Sequence, residues 1–126
     1  MTADAFRRLA LALPDTIESA HMGHPDFRVP ASKGRIFASL GPPDGPRGRT
    51  TWAMVKLGPA QQAAAIASHP EALAPASGAW GRQGCTIITL SKARQGLVRG
   101  LLQTAWRAAA PKRLVEAIDE QEAEMR

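Results

Sequence analysis

Prolines and glycines divide this chain into short segments, and this division constrains its fold more than any other feature. The sequence has 10 prolines and 11 glycines among 126 residues. Proline has no backbone N–H to donate and glycine favours turns, so neither supports long regular elements. Runs of strand-forming residues between these breaks predict five short strands. They lie near residues 16–22, 26–30, 35–40, 50–57 and 85–90.

Apolar residues at helical spacing predict four helices around these strands. The helices are expected over residues 1–13, 59–68, 92–109 and 111–126. The predicted inner face of the second helix is Ala63, Ile66 and Ala67, and Met125 is expected to be buried in the last helix. In residues 70–84 the apolar positions follow neither the helical period nor the strand period, so this segment is expected to form an irregular connection.

The order of these elements is α–β–β–β–β–α–β–α–α, which predicts an α+β fold. We expect a single domain over residues 1–126, with an antiparallel-rich sheet of about five strands packed against the helices. Residues 41–49, which include the Gly/Pro-rich run GPPDGPRG, are expected to form a flexible loop. Residues 111–126 are expected to form an acidic terminal helix.

The strand at residues 50–57 alternates in a way that predicts two different faces. Trp52, Met54 and Lys56 fall on one face, and Ala53, Val55 and Leu57 fall on the other. A strand of this kind is half-buried, with its apolar face against the core.

Cysteine content and hydropathy indicate a cytoplasmic location. Cys85 is the single cysteine, so no internal disulfide forms, as is typical of a reducing compartment. The apolar run Leu9–Leu13 that follows Arg7 and Arg8 is too short for a secretory signal. No segment reaches the roughly 18 apolar residues of a membrane-spanning helix.

The charge is concentrated in the middle of the chain. Residues 33–113 hold 12 basic residues and only two acidic ones, whereas residues 114–126 hold five acidic residues and Arg126. The whole chain carries a net charge of +5. A central basic block favours an anionic partner such as nucleic acid. There is an equally good alternative explanation of this charge. A GC-rich genome produces an arginine- and alanine-rich composition without any selection for binding.

The segment His21–Asp26 brings two histidines and an aspartate together in the sequence. A metal site would need a third or fourth ligand, for which Cys85 or His69 could serve, but the spacing matches no standard zinc pattern. Two histidines that hydrogen-bond the backbone at a turn are the alternative. We predict no metal, no cofactor and no catalytic set, because no general base, nucleophile or carboxylate pair emerges.

The segment Gly78–Gly84 has a glycine at every third position. It lacks the spacing of a dinucleotide-binding or Walker loop, and a strand follows it where those loops precede a helix. Trp80 could stack on a base while Arg82 contacts a phosphate. Alternatively, Trp80 covers a small core and Arg82 is solvated.

Basic residues also flank the predicted turn at residues 30–34. Lys33 and Arg35 lie at the tip of the hairpin formed by the second and third strands. A basic hairpin tip is what a DNA-binding wing places on the phosphate backbone.

Several motifs resemble the MmcQ/YjbR family. They are HMGHPDFRV at residues 21–29, MVKL at 54–57, GAWGRQGCT at 78–86, and AWR with APK between 105 and 112. They follow in order along nearly the whole chain. The resemblance implies an α+β fold of the double-wing type and DNA binding. It also implies a basic surface formed by Arg28, Lys56, Arg82, Arg107 and Lys112. The loop at residues 41–48 departs from the short turn expected there.

Two functional hypotheses follow. In the first, a DNA-binding protein contacts phosphates through the central basic surface with little base-specific readout. Its site residues are Arg28, Lys33, Arg35, Lys56, Trp80, Arg82, Arg107 and Lys112. In the second, a non-catalytic module binds an anionic small molecule or a protein in a pocket lined by His24, Lys56, Trp80, Arg82 and Trp106. Convergence of those residues in a concavity favours the second hypothesis, and a spread over a convex face favours the first.

Overall fold

The computed structural model describes residues 1–125, and within them the chain forms a six-stranded antiparallel sheet and five helices. The strands are β1 (Ile17–His21), β2 (His24–Val29), β3 (Arg35–Leu40), β4 (Trp52–Lys56), β5 (Leu73–Pro75) and β6 (Cys85–Thr89). The helices are α1 (Ala3–Leu11), α2 (Pro59–Ser68), α3 (Gly78–Arg82), α4 (Gln95–Ala109) and α5 (Lys112–Glu124). The order in the sheet is β1-β2-β3-β4-β6-β5. These elements confirm the predicted α+β fold.

The turn between β1 and β2 has only two residues, Met22 and Gly23. Both have positive φ angles, of 51° and 80°. Two-residue turns with this conformation match the twist of antiparallel strands, and glycine adopts it without strain. The turn places His21 directly opposite His24 in the strand register.

One face of the sheet carries the hydrophobic core. The helix α4 lies against β3 and β4, and α1 packs against α4. The largest fully buried core side chains are Phe6, Phe27, Phe37, Leu40, Ile88, Leu90 and Leu102. Thr2 caps α1, because its hydroxyl accepts a hydrogen bond from the Ala5 amide at 3.1 Å.

The alternation predicted for β4 is confirmed. Ala53 and Val55 are fully buried on the helix side, while Trp52, Met54 and Lys56 are half-buried on the opposite face. The side chains of this second face line the groove described below.

Two elements lie within residues 70–84, where we expected an irregular connection. The edge strand β5 has three residues and ends in a proline, and α3 has five residues of which two are glycines. Elements this short do not repeat a hydrophobic period, so their formation depends on the neighbours that they pack against. β5 pairs with β6, and α3 packs on β6.

The predicted inner face of α2 was wrong in two of its three residues. Ala63 and Ala67 are exposed, while Gln62 is buried and Ile66 is half-buried. The amide of Gln62 donates a hydrogen bond to the Cys85 carbonyl at 2.9 Å, so a polar contact sets the rotation of α2. Met125 was also predicted wrongly, because its side chain is 83% exposed just after α5.

Across residues 1–125, none of the helices combines the length and the apolar character needed to cross a membrane.

Candidate functional site

The face of the sheet opposite α4 forms an open groove of about 1690 Å³. Its floor consists of side chains that alternate out of β4 and β6, and cross-strand partners lie side by side on it. The partners are Trp52 with Thr89, Met54 with Ile87, and Lys56 with Cys85. His21, Met22 and His24 of the first hairpin line one wall, and Trp80 of α3 lines another. The floor is therefore mainly apolar, with cationic and aromatic groups at its edges.

Trp80 is the most exposed aromatic side chain on this groove. Its side chain is 64% exposed, and the Lys56 ammonium lies 5.9 Å from the centre of its ring. That separation is within the range of a cation–π contact. An indole covering a core would be largely buried, so the exposure favours the ligand-stacking interpretation of Trp80.

The glycines around Trp80 hold α3 close to the sheet. A Cβ on Gly81 would lie 1.8 Å from the Ala76 carbonyl oxygen, and a Cβ on Gly84 would lie 1.9 Å from the Leu57 carbonyl oxygen. Gly84 also has a φ of 109°, a conformation that L-residues rarely adopt. Gly81 and Gly84 thus allow close backbone packing beside Trp80, whereas Gly78 has a φ of 65° and open space around the place of a Cβ.

His21 and His24 form an aromatic cluster with Trp52. The two imidazole rings are 6.3 Å apart, centre to centre, with an angle of 30° between their planes. The His24 ring is 6.1 Å from the Trp52 ring. The two-residue turn brings the histidines together, and the open face of the sheet adds the tryptophan.

A buried carboxylate lies beneath this cluster. Asp26 has no exposed surface and accepts hydrogen bonds from Arg28 Nε at 2.6 Å and from Arg28 Nη2 at 2.9 Å. His21 Nδ1 lies 2.7 Å from Asp26 Oδ2. Burial opposes ionisation, but the hydrogen bonds from Arg28 and His21 outweigh it and lower the pKa of Asp26. The Asp26 carboxylate is therefore charged and orients both neighbours.

Cys85 lies on the groove floor but is buried. Burial raises the pKa of its thiol, and the nearby Lys56 only partly opposes that shift. A protonated, buried thiol is a poor nucleophile.

The eight predicted site residues do not form one surface. Three are engaged by acidic side chains: Arg28 by Asp26, Arg107 by Asp119 at 3.0 Å, and Lys112 by Glu116 at 3.8 Å. Both bonds of the Arg107 guanidinium go to the Asp119 carboxylate of α5. The acidic helix α5 therefore neutralises part of the basic block.

The other five predicted residues lie in two places. Lys33 and Arg35 are exposed at the turn between β2 and β3 and do not line the groove. Lys56 and Trp80 line the groove, and Arg82 is exposed at the end of α3, two residues from Trp80. The structure brings Lys56 and Trp80 together on the groove, and Lys56 also lines a second, smaller depression with Arg35.

Trp106 does not belong to the pocket that the second hypothesis proposed. Its ring is buried in the core, and its Nε1 donates a hydrogen bond to the Pro14 carbonyl at 2.9 Å. Of the five residues in that hypothesis, His24, Lys56 and Trp80 converge on the groove.

Several groove residues were not among the predicted sites. They include His21, Arg49, Trp52 and Met54. The alternation of β4 and the histidine-containing turn were visible in the sequence, but the pairing of β4 with β6 was needed to join them.

No group of three or more His, Cys, Asp or Glu side chains in residues 1–125 is arranged to hold a metal ion.

These observations define a small α+β protein with an aromatic and cationic groove on the open face of an antiparallel sheet. The sequence profile of the YjbR family matches residues 11–108. The chain therefore belongs to the YjbR family, as the motifs predicted.

Two solved structures show the same fold. The chain superposes on the crystal structure of Deinococcus radiodurans protein DR2400, which has a DUF419 domain, with a TM-score of 0.70 and 22% identity, covering 88% of this chain and 80% of that one. It superposes on a Pseudomonas syringae protein with a TM-score of 0.66 and 13% identity, covering 87% of this chain and 100% of that one. No curated protein matches the sequence.

Proposed function

We propose that this protein binds single-stranded nucleic acid in the open-face groove. The observation that carries the proposal is the position of Trp80, which is 64% exposed at the groove wall and has the Lys56 ammonium 5.9 Å from its ring centre. An exposed ring stacks on a base, and the neighbouring cation contacts the phosphate that follows it. The family resemblance independently implies a nucleic-acid partner.

The chemistry of the groove favours unpaired bases over a duplex. Bases inside a double helix are already stacked on each other and present only their edges, so they offer no face to Trp80. The apolar side chains of Trp52, Met54 and Ile87 on the floor also suit the flat faces of bases better than a phosphate backbone. This proposal narrows the predicted basic surface to a smaller and more aromatic groove that keeps Lys56 and Trp80.

The proposal is for binding and not for catalysis, and it requires no cofactor. A cytoplasmic location, which the single cysteine predicts, belongs to the same proposal.

Fluorescence anisotropy with a labelled single strand and with the duplex of the same sequence tests this function. We expect the single strand to bind more tightly, and Trp80→Ala to weaken it by about tenfold, since stacking on one base contributes about 1–3 kcal/mol. Trp80→Phe is the matched control, because it keeps a ring and should retain most of the affinity.

Tighter binding of the duplex, or unchanged affinity in Trp80→Ala, would overturn the proposal. A mononucleotide that binds as tightly as the oligonucleotide would assign the groove to a small anionic ligand instead.

A further inference from the structure

We propose that His21 and His24 form a pH-dependent subsite for one phosphate group on the wall of the groove. The inference rests on the proposed function and adds to it a defined ligand group and a mode of regulation. The second hypothesis placed His24 in an anion pocket, but it did not include His21 or the pairing of the two histidines.

The two imidazoles are oriented by groups behind them. His21 Nδ1 donates to the ionised Asp26 carboxylate at 2.7 Å, and His24 Nδ1 lies 3.3 Å from the Leu40 carbonyl, which only accepts. In each ring the Nδ1 position is therefore committed to the protein. Nε2 is the nitrogen left for a ligand in both rings, and both residues line the groove.

The spacing of the rings suits a bridging anion. The imidazole centres are 6.3 Å apart and the ring planes are 30° from parallel, so the two rings are neighbours on the wall. Nε2–H donors on neighbouring rings can each lie about 2.8 Å from a different oxygen of one phosphate. A phosphate needs donors, so it selects the form of each ring in which Nε2 carries a proton.

The charged groups around the two histidines do not cancel the positive charge that the protonated rings offer to a phosphate. The Arg28 guanidinium offsets the Asp26 carboxylate, so a protonated His21 adds a full positive charge to the wall. Asp4 and Glu18 both bond Arg7 on α1, and this group carries one net negative charge.

Arg49 and Lys56 line the same groove, and their two positive charges exceed the single negative charge of the group around Arg7. Two imidazolium rings this close repel each other until an anion lies between them, so protonation and phosphate binding should favour one another.

The arrangement fits an anion better than a metal ion. Within residues 1–125, no third His, Cys, Asp or Glu completes a ligand set with this pair. Imidazole is also the side chain that gains its charge between about pH 8 and about pH 5.

The test measures oligonucleotide affinity by anisotropy at about pH 5.5 and about pH 8 at constant ionic strength. We expect the wild-type protein to bind about tenfold more tightly at the lower pH, because charge-assisted hydrogen bonds replace neutral contacts. His21→Gln and His24→Gln should each remove most of this gain. His69→Gln, in the third histidine of the chain, is the matched control outside the groove.

The inference is overturned if both groove variants keep the wild-type pH dependence, or if His69→Gln removes it. Thermal unfolding of each variant shows whether it has lost its fold. If His21→Gln proves unstable, His24→Gln still tests the subsite, because it keeps the contacts of Asp26.

A second arm separates this inference from the proposed function. Inorganic phosphate is titrated into the protein at about pH 5.5 while NMR follows the ring resonances of all three histidines. Selective shifts of His21 and His24 would support the subsite even if no oligonucleotide binds, in which case only the proposed function fails. Equal or absent shifts would overturn the subsite even if oligonucleotides bind through Trp80.

Discussion

Asp26 shows how one residue links the fold to the candidate site. It is fully buried, yet it is charged because Arg28 donates two hydrogen bonds and His21 donates a third. Buried carboxylates of this kind stabilise a protein only while their partners remain in place. The same residue therefore supports the stability of β2 and the orientation of the groove histidine.

Replacing Asp26 with asparagine should destabilise the protein by about 3 kcal/mol, because Arg28 loses its charged partner. Urea unfolding followed by circular dichroism measures the change. Asp119→Asn breaks the exposed pair with Arg107 and should cost clearly less. Equal losses in the two variants would contradict the role given to Asp26.

Acid should remove the same stabilisation in the wild-type protein. The pKa of Asp26 is lower in the folded state than its ordinary value, so the folded state binds its proton less readily than the unfolded state. This contribution is present above about pH 4 and is lost as the pH falls through the folded-state value. Unfolding free energies between about pH 5 and about pH 2 should fall more steeply in the wild type than in Asp26→Asn. Parallel curves would show that Asp26 contributes nothing to the acid sensitivity.

At the scale of elements, α3 depends on packing more than on its own sequence. It has five residues and two glycines, and Gly81 lies so close to Ala76 that a Cβ would meet the Ala76 carbonyl. α4 is a long amphipathic helix whose position the sequence predicted well. Its glycine at position 100 has open space around the place of a Cβ.

Alanine should therefore have opposite effects at two helical glycines. Gly100→Ala should stabilise the protein by up to about 1 kcal/mol, because alanine has the higher helix propensity. Gly81→Ala should destabilise it by about 2 kcal/mol or more, because the backbone of α3 must move away from Ala76. Thermal unfolding of both variants measures the two changes in stability. A stabilising Gly81→Ala would contradict the close packing.

Most long elements could be predicted, because the hydrophobic period and the proline breaks that define them are found within the segment itself. The strands near residues 35–40 and 50–57 and the helices α2 and α4 follow from such signals. β5 and the rotation of α2 could not be predicted in this way. They depend on the pairing of β5 with β6 and on the hydrogen bond from Gln62 to the Cys85 carbonyl, which are contacts between distant parts of the chain.

At the scale of the whole molecule, the basic residues that lie close together in the sequence are in different places in the folded protein. Arg107 and Lys112 are paired with acids of α5, whereas Lys56 faces the groove and Lys33 lies at a hairpin tip. Charge counts along a chain do not show which side chains are paired after folding. The family and the fold class were predictable from the sequence, as were His24, Lys56 and Trp80 of the groove, but the pairing of the other cations with acids was not.

Salt dependence should report the small number of cations that contact the ligand. Arg49 and Lys56 line the groove, Arg47 lies between two groove residues in the sequence, and Arg82 lies two residues from Trp80. Contacts from about three cations predict that log K falls with log salt concentration with a slope near −2 for a single strand. A slope near −8, as expected if all 12 cations of the basic block took part, would show that the whole block binds.

The most direct test of the groove compares two lysines of equal charge. Anisotropy titrations of a labelled single strand at one salt concentration give dissociation constants for wild type, Lys56→Ala and Lys33→Ala. We expect Lys56→Ala to weaken binding about fivefold or more and Lys33→Ala to change it less than about twofold, because of these two lysines Lys56 alone lines the groove. An equal or larger loss in Lys33→Ala would place the ligand on the hairpin tip and contradict the groove.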